Sequence, residues 1–258
     1  AGGSKNTFNV DDVGYATAAA AGLTGGSITP TAASVGTKQG FSIIKFASGS
    51  SGVKTLSHGL LETPTFALVK TTGSTSDWSV YHKDIGGVNN YLVLNENNAN
   101  ATATEIWGSS LWTSSVFGIK SGTTTATNQD CIAYLWHDVP GLQKFGSFTG
   151  NNATDGVFIE LGFRPSLVWI KRTGNTGHWF IIDNKRTKTF NPVDEYAFAD
   201  IVNVYDPSNG GPSGGIADFL SNGIKLRENN AGANEADSYI YCAWAEAPSV
   251  DLYGGGAN

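Results

Sequence analysis

The stretch TPTFALVKTTGSTSDWSVYHKD, which begins at Thr63, recurs as RPSLVWIKRTGNTGHWFIIDNK, which begins at Arg164. Four residue pairs match at one constant offset: Pro64 with Pro165, Lys70 with Lys171, Gly73 with Gly174 and Trp78 with Trp179. Self-similarity at a fixed spacing is the sequence signature of a repeated structural unit. The stretch therefore predicts that this part of the chain folds twice in the same way.

The repetition continues on both sides of this stretch, with small changes of offset that place the insertions in loops. The further matches are Phe41 with Phe145, Tyr91 with Tyr196, Gly118-Ile-Lys with Gly223-Ile-Lys, and CIAYLWHDVP from Cys131 with YIYCAWAEAP from Tyr239. Each copy has roughly a hundred residues, which is the size of an independent domain rather than of a solenoid repeat. The pattern predicts an internal duplication.

Composition and alternation predict strands within each copy. Charged residues make up only 15% of the chain and there are 33 glycines, a mixture that disfavours helices and suits short strands joined by turns. Trp78 and Val80 alternate with variable neighbours, as expected for a half-buried strand. We therefore predict an all-β protein with two tandem, duplicated β-sandwich domains of jelly-roll or lectin-like type, over residues 40–141 and 142–250.

The ends of the chain differ from the two copies. Residues 1–39 include the small, apolar run YATAAAAGL and a segment rich in Gly, Thr and Ser. We interpret them as an N-terminal arm that docks on a partner surface or makes subunit contacts, with a disordered linker as the alternative. Residues 251–258 are predicted to form a flexible Gly-rich tail.

Charge and hydropathy exclude two classes of partner. The net charge is −6 and the chain has no run of Lys or Arg, so a nucleic-acid partner is not expected. No apolar run approaches the roughly 18 residues of a membrane span, so no membrane insertion is expected. Cys131 and Cys242 fall on opposite faces of corresponding strands, which predicts two buried, free thiols.

The sequences of the two copies also resemble those of a known family. The closest phrases are FGSFTGNNATDGVFIELGFRPSLVWIKR from Phe145, DFLSNGIKLREN from Asp218 and YIYCAWAEAP from Tyr239. They resemble a largely uncharacterised domain found in tail-fibre and other structural proteins of tailed phages from marine bacteria. The resemblance implies an oligomeric virion surface protein concerned with host attachment, and it supplies no catalytic residues.

No catalytic, metal or cofactor site is predicted. The four histidines form none of the short patterns that bind zinc, and no Gly-rich phosphate loop is present. A polysaccharide depolymerase remains an alternative, because a pair of carboxyl groups suffices for glycoside hydrolysis. Its candidate residues are Asp183, Glu195 and Asp218.

The tryptophans fall into two groups, according to whether they have a counterpart in the other copy. Trp78, Trp179, Trp136 and Trp244 recur at matched positions and are predicted to be structural core residues. Trp107 and Trp112 have no counterpart and lie in the polar stretch EIWGSSLWTSS, so we predict that they bind a ligand from a loop. Packing over the sandwich end or against a neighbouring subunit is the alternative.

The second copy has its own candidate loop at the corresponding place. The insertion VYDPSNGGPSGG begins at Val204 and has the length and composition of a functional or disordered loop. Tyr205, Asp206 and Asn209 are its predicted ligand-binding residues.

The sequence therefore predicts a non-enzymatic phage virion protein, either a tail fibre or a capsid-attached appendage, that attaches to host-surface glycans. The alternative from another class is a purely structural fibre, filament or shell subunit without a ligand. The expected partners are copies of the same chain, as a trimer, other virion proteins and host polysaccharide. The expected location is the virion, assembled in the host cytoplasm.

Overall fold

The computed structural model describes residues 7–186, 191–201, 204–205, 215–227, 229 and 232–248. Its contacts divide the chain into two compact units. Unit 1 comprises Ala1–Val93 and Ala101–Asp138, and unit 2 comprises Leu94–Asn100 and Val139–Asn258. The division after Asp138 lies close to the boundary that the sequence predicts after residue 141.

Unit 1 is built from short strands and two single-turn 3-10 helices, Lys83–Ile85 and Gly87–Asn89. Its strands are β1 (Phe8–Val10), β2 (Val13–Tyr15), β3 (Ala32–Gly36), β4 (Phe41–Ala47), β5 (Gly52–Ser57), β6 (Phe66–Thr71), β7 (Trp78–His82), β8 (Asn90–Val93), β9 (Ala101–Thr102), β10 (Val116–Ser121) and β11 (Asp130–Trp136). Within the described residues, one sheet has the order β2-β1-β3-β4-β11-β6-β7-β8-β9 and the other pairs β10 with β5.

The two sheets of unit 1 share one hydrophobic core. Alternate residues of β11, including Ala133 and Leu135, are fully buried in this core. Phe46 of the large sheet meets Phe117 of the small sheet edge to face, with ring centroids 6.3 Å apart. This layered packing buries the apolar face that the period-two pattern predicts.

Unit 2 is also formed by strands. They are β12 (Gln143–Thr149), β13 (Phe158–Glu160), β14 (Pro165–Arg172), β15 (Trp179–Asp183), β16 (Tyr196–Phe198), β17 (Val204–Tyr205), β18 (Ala217–Leu220), β19 (Gly223–Leu226) and β20 (Ser238–Ala245). Within the described residues, one sheet has the order β12-β20-β14-β15-β16-β17 and the other has the order β13-β19-β18.

The two units repeat one topology. In each large sheet, the first strand of the copy pairs with the last strand: β4 with β11 in unit 1 and β12 with β20 in unit 2. The last strand also pairs with the third strand of its copy, and the fourth, fifth and sixth strands follow in turn. The shared orders are therefore β4-β11-β6-β7-β8-β9 and β12-β20-β14-β15-β16-β17. The registers also agree, because Lys70 is opposite Trp78 in unit 1 and Lys171 is opposite Trp179 in unit 2. The protein is all-β, and the duplication read from the sequence is present in its strand order.

The N-terminal segment packs on unit 1 of its own chain. Its strand β3 pairs with β4 along five residues, and β1 pairs in parallel with β3, so the segment extends the large sheet of unit 1. Leu23, Val35 and Phe8 are buried in the unit 1 core. Burial of these side chains supplies the partner surface that the short apolar run lacks by itself.

Both cysteines are free and buried, as the sequence predicts. Cys131 faces the unit 1 core between the two sheets. Its counterpart in the duplication is Tyr239, whereas Cys242 lies three residues further along β20 and is on the opposite face of its sheet.

Candidate functional site

A cavity of about 340 Å³ opens in unit 1 where the edge of the large sheet meets the turn that follows β10. This is the lower end of the size range of ligand pockets. Six of its lining residues carry a hydroxyl group. The lining residues are Ser76, Asp77, Ser79, Tyr91, Val93, Ile106, Gly122, Thr123, Thr124, Thr125 and Ala126.

Neighbouring strands position one wall of the cavity. Ser79 of β7 is directly opposite Val93 of β8 in the antiparallel ladder. The Ser79 hydroxyl donates to the Thr124 carbonyl at 3.2 Å, which joins this wall to the turn that forms the other one. Strand pairing and this cross-link hold the two walls in place.

The opposite wall is a turn held by hydrogen bonds within itself and to strand β6. Gly122 N–H donates to the Thr125 carbonyl at 2.7 Å, and Ala126 N–H donates to Thr71 Oγ1 at 3.0 Å. Gly122 has φ +93°, a conformation that favours glycine. The Thr124 hydroxyl donates to the Ile106 carbonyl, which fixes the turn against the segment before β10.

Two hydroxyl groups of the lining are buried without a hydrogen-bond partner among the nitrogen and oxygen atoms of the described residues. They are Ser76 Oγ and Thr125 Oγ1, and Thr125 as a whole is only 3% exposed. Thr125 also lies near the Cys131 thiol, which is a weak partner. A buried hydroxyl without a strong partner is costly, so a polar group entering the cavity would be favoured.

Unit 2 fills the equivalent position with aromatic rings. Phe180 and Phe198 correspond to Ser79 and Val93, and they are opposite each other in the ladder in the same way. Their ring centroids are 5.0 Å apart, and Tyr196 packs against both. The duplication therefore provides a hydroxyl-lined space in unit 1 and a packed aromatic cluster at the matching place in unit 2.

The structure corrects the prediction for Trp107 and Trp112. Their exposed fractions are 0% and 5%, and both belong to the hydrophobic core of unit 1. Tyr81 stacks on Trp112 at 3.9 Å and meets Trp107 edge to face at 5.7 Å. Rings buried in this way cannot serve as a stacking surface for a ligand in the folded unit, because their faces are covered by protein.

Hydrogen bonds also fix these two indoles inside unit 1. Trp107 Nε1 donates to the Asn90 carbonyl at 2.7 Å, and Trp112 Nε1 donates to the Trp107 carbonyl at 3.0 Å. Gly118 lets the backbone approach this closely, since a Cβ there would overlap the Trp107 carbonyl oxygen. The repeated Gly-Ile-Lys phrase thus marks a packing requirement.

The four tryptophans predicted as core residues divide into two groups. Trp179 is buried, with 1% of its side chain exposed. Trp78, Trp136 and Trp244 are half-buried, as is the unmatched Trp169. In unit 1, Trp136 lies on the face of β11 that points away from the two-sheet core, where Tyr134 stacks beside it at 6.3 Å.

The predicted ligand residues of unit 2 lie largely beyond what the structure describes. Asp206 and Asn209 are outside the described residues. Tyr205 is the last residue of β17 and is opposite Tyr196 in the ladder. The structure therefore leaves the prediction for this loop as it stands.

Two of the three carboxylates considered for glycoside hydrolysis, Asp183 and Asp218, form ion pairs with arginines. Although burial alone would raise the pKa of Asp183, hydrogen bonds from the backbone N–H groups of Lys185 and Arg186, together with the Arg186 charge, hold that pKa below its usual value. Asp218 accepts from Arg227 Nε at 2.7 Å, and Glu195 is half-buried. A general acid in this reaction needs a raised pKa, so Asp183 is poorly suited to that role.

His58 is a structural histidine of unit 1. Burial lowers its pKa to about 4, with a smaller lowering from the nearby His137. Its Nδ1 accepts from Leu60 N–H at 3.2 Å, so the neutral ring donates from Nε2 to the Thr113 carbonyl at 3.1 Å. Within the described residues, no three His, Cys, Asp or Glu side chains come together to hold a metal ion.

These features define an all-β protein of two like-folded units, one of which carries a hydroxyl-lined cavity. Residues 9–248 match the family model described as "Domain of unknown function (DUF7483)", and the chain belongs to this family. No curated protein and no solved structure matches the chain. No helix of the described residues is long and apolar enough to cross a membrane.

Proposed function

We propose that this protein is a non-enzymatic attachment protein of a phage virion that binds a sugar unit of a host-surface glycan in the cavity of unit 1. The observation that carries the proposal is the cavity lined by hydroxyl groups, two of which are buried without a strong partner. The resemblance of the repeated phrases to phage structural proteins supports the virion as its location. We further propose that each unit is a jelly-roll or lectin-like sandwich.

The chemistry of the lining suits a sugar. Hydroxyl groups both donate and accept, so Ser76, Thr123 and Thr125 can exchange hydrogen bonds with sugar hydroxyls in either direction. Val93 and Ile106 offer apolar surface to the C–H groups of a sugar ring. A cavity of this size, with a few polar groups on a preformed frame, matches the general pattern of small-molecule sites.

The duplication predicts that this site occurs once per chain, because Phe180 and Phe198 occupy the equivalent position in unit 2. A single contact with one sugar unit is weak. We propose that the chain assembles into a homo-oligomer, as a trimer, which would multiply the contact through avidity.

A purely structural subunit is the second candidate. The burial of Trp107 and Trp112 favours it, because it removes the aromatic recognition surface that the sequence predicts. The two candidates differ in whether the isolated chain binds glycans.

A glycan array probed with the wild-type chain and with Ser79→Phe tests the proposal. Ser79→Phe places in unit 1 the residue that unit 2 has at the matching position, and so fills the cavity. We expect the wild type to bind a set of glycans and Ser79→Phe to lose that binding while keeping its near-ultraviolet circular dichroism.

Ser114→Phe makes the same chemical change at an exposed position outside the cavity lining and should bind like the wild type. Should Ser79→Phe fail to fold, Val93→Phe makes the partner exchange in the same pair of strands. Absence of any array signal for the folded wild type would favour the structural subunit instead.

A further inference from the structure

We infer that Tyr91 is the surface on which the cavity of unit 1 stacks its ligand, and that this ligand is a pyranose ring with an unbroken face of C–H groups. The inference rests on the proposed function, since it specifies the ligand class of the same site. It depends on a comparison between Tyr91 and its counterpart in unit 2, Tyr196.

In unit 2, two other rings cover the ring of Tyr196. Its centroid is 5.1 Å from that of Phe180 and 5.3 Å from that of Phe198. Tyr196 is only 3% exposed and belongs to the hydrophobic core of this unit. The tyrosine at this position of the repeat is therefore one of three rings that pack together.

In unit 1, both of these covering rings are absent. Ser79 and Val93 are opposite each other at the positions that correspond to Phe180 and Phe198. Tyr91 precedes Val93 by two residues on β8, so the two side chains are on the same face of the sheet. The ring surface that two phenylalanines cover in unit 2 has no such cover in unit 1, and all three residues line the cavity.

Tyr91 is also the only aromatic residue among the described residues that line the cavity. It is half-buried and packs against the core of unit 1, which holds the ring in place. Trp107 and Trp112, by contrast, are buried within that core. Tyr91 is therefore the ring that the lining offers to a ligand.

A pyranose fits both the ring and the hydroxyl groups of the lining. The face of an aromatic ring carries partial negative charge and attracts C–H groups, which are weakly positive. The Ser76 and Thr125 hydroxyls, which are buried without a strong partner, can pair with the hydroxyls of the same sugar. A closed sugar ring holds several C–H groups on one face, whereas an open-chain polyol with similar hydroxyls does not.

Pairs of a closed and an open sugar test this inference by equilibrium titration. The probes are methyl β-galactopyranoside with galactitol, and methyl β-glucopyranoside with sorbitol. Both members of a pair offer similar hydroxyl groups, but only the glycoside has a rigid C–H face. We expect at least one glycoside to bind the wild-type chain, about tenfold or more tightly than its open-chain partner.

Substitutions of Tyr91 separate stacking from the general advantage of a rigid ligand. Tyr91→Phe keeps the ring and should leave the affinity for the glycoside within about threefold of the wild type. Tyr91→Leu keeps an apolar side chain without the ring, so it should weaken the glycoside about tenfold and lower its advantage over the open chain. Tyr15→Leu makes the same exchange at a half-buried tyrosine of the same core outside the lining, and should change neither affinity.

Proton NMR of the bound glycoside gives a readout that a loss of stability alone does not produce. An aromatic ring moves the resonances of protons above its face upfield. We expect this shift for the C–H protons of one sugar face in the wild type and in Tyr91→Phe, and a smaller shift in Tyr91→Leu. Should Tyr91→Leu fail to fold, absence of the shift in the wild type would still overturn the inference.

The outcomes separate this inference from the function on which it rests. Equal binding of the open-chain partner, or an unchanged ratio in Tyr91→Leu, overturns the inference and leaves a sugar-binding cavity in place. Binding on the array without affinity for either glycoside has the same meaning. If the array is also blank, the proposed function fails, and the inference with it.

Discussion

Trp107→Ala is the substitution that most clearly separates a core role from a recognition role for the unmatched tryptophans. The side chain is fully buried in unit 1, and its replacement leaves a large cavity among Tyr81, Trp112 and their neighbours. Substitutions of this kind cost about 3–5 kcal/mol. The lost hydrogen bond from Nε1 to the Asn90 carbonyl adds about 1 kcal/mol, so we expect a loss near the upper end of that range.

Urea denaturation, followed by near-ultraviolet circular dichroism, measures this loss. Leu111→Ala is the matched control, because Leu111 lies in the same stretch with 67% of its side chain exposed. Its free energy of unfolding should change by less than about 0.5 kcal/mol. A similarly small change for Trp107→Ala would refute the burial of the ring, and lost glycan binding without lost stability would restore its predicted role in recognition.

Two further predictions concern buried titratable groups of unit 1. Because burial holds the pKa of His58 at about 4, below the ordinary 6.5, the unfolded chain binds more protons between these values, and the unfolding free energy should fall by about 3 kcal/mol as the pH drops from 6.5 to 4. His58→Gln should remove this part of the pH dependence in urea titrations, and an identical slope in both proteins would contradict the argument. Burial is also the main cause that raises the pKa of the Cys131 thiol, so we expect a thiol reagent at pH 8 to label it only after unfolding in urea. Labelling of Cys131 in the native state at the rate of a free peptide thiol would show that it is accessible.

The sequence predicts the fold to the extent that the two copies constrain each other. Matched residues such as Lys70 and Lys171 fix the register of β6 and β14, and six strands of the large sheet follow the same order in both units. The N-terminal segment has no second copy for comparison, and its apolar run is too short to show by periodicity that it packs into unit 1.

The same comparison of the two copies gives a wrong prediction for Trp107 and Trp112, which are buried rather than exposed on a loop. The comparison predicts that a residue without a counterpart is free to bind a ligand. In unit 2, however, β18 occupies the corresponding place in the chain, before β19, and its Phe219 is buried in the core of that unit. The two units fill their interiors from this segment with different residues, so lack of a match does not imply exposure.

Exchanges of small for large residues between the copies are the signal that points to the cavity. Unit 1 has Ser79 and Val93 at the positions where unit 2 has Phe180 and Phe198, and each pair is opposite in its ladder. Because two aromatic rings are missing from neighbouring positions of unit 1, this exchange predicts an unfilled space between them. The hydroxyl-rich turn Gly122–Thr125 gives no such signal by itself, because runs of Thr and Gly are also ordinary turn residues.

The stoichiometry of sugar binding tests the central claim most directly. Isothermal titration calorimetry of the wild-type chain, with an oligosaccharide selected on the array, should give one site per chain, because the cavity lies in unit 1 and Phe180 and Phe198 fill the matching place in unit 2. Two equivalent sites per chain, or one site that Ser79→Phe leaves intact, would contradict the account.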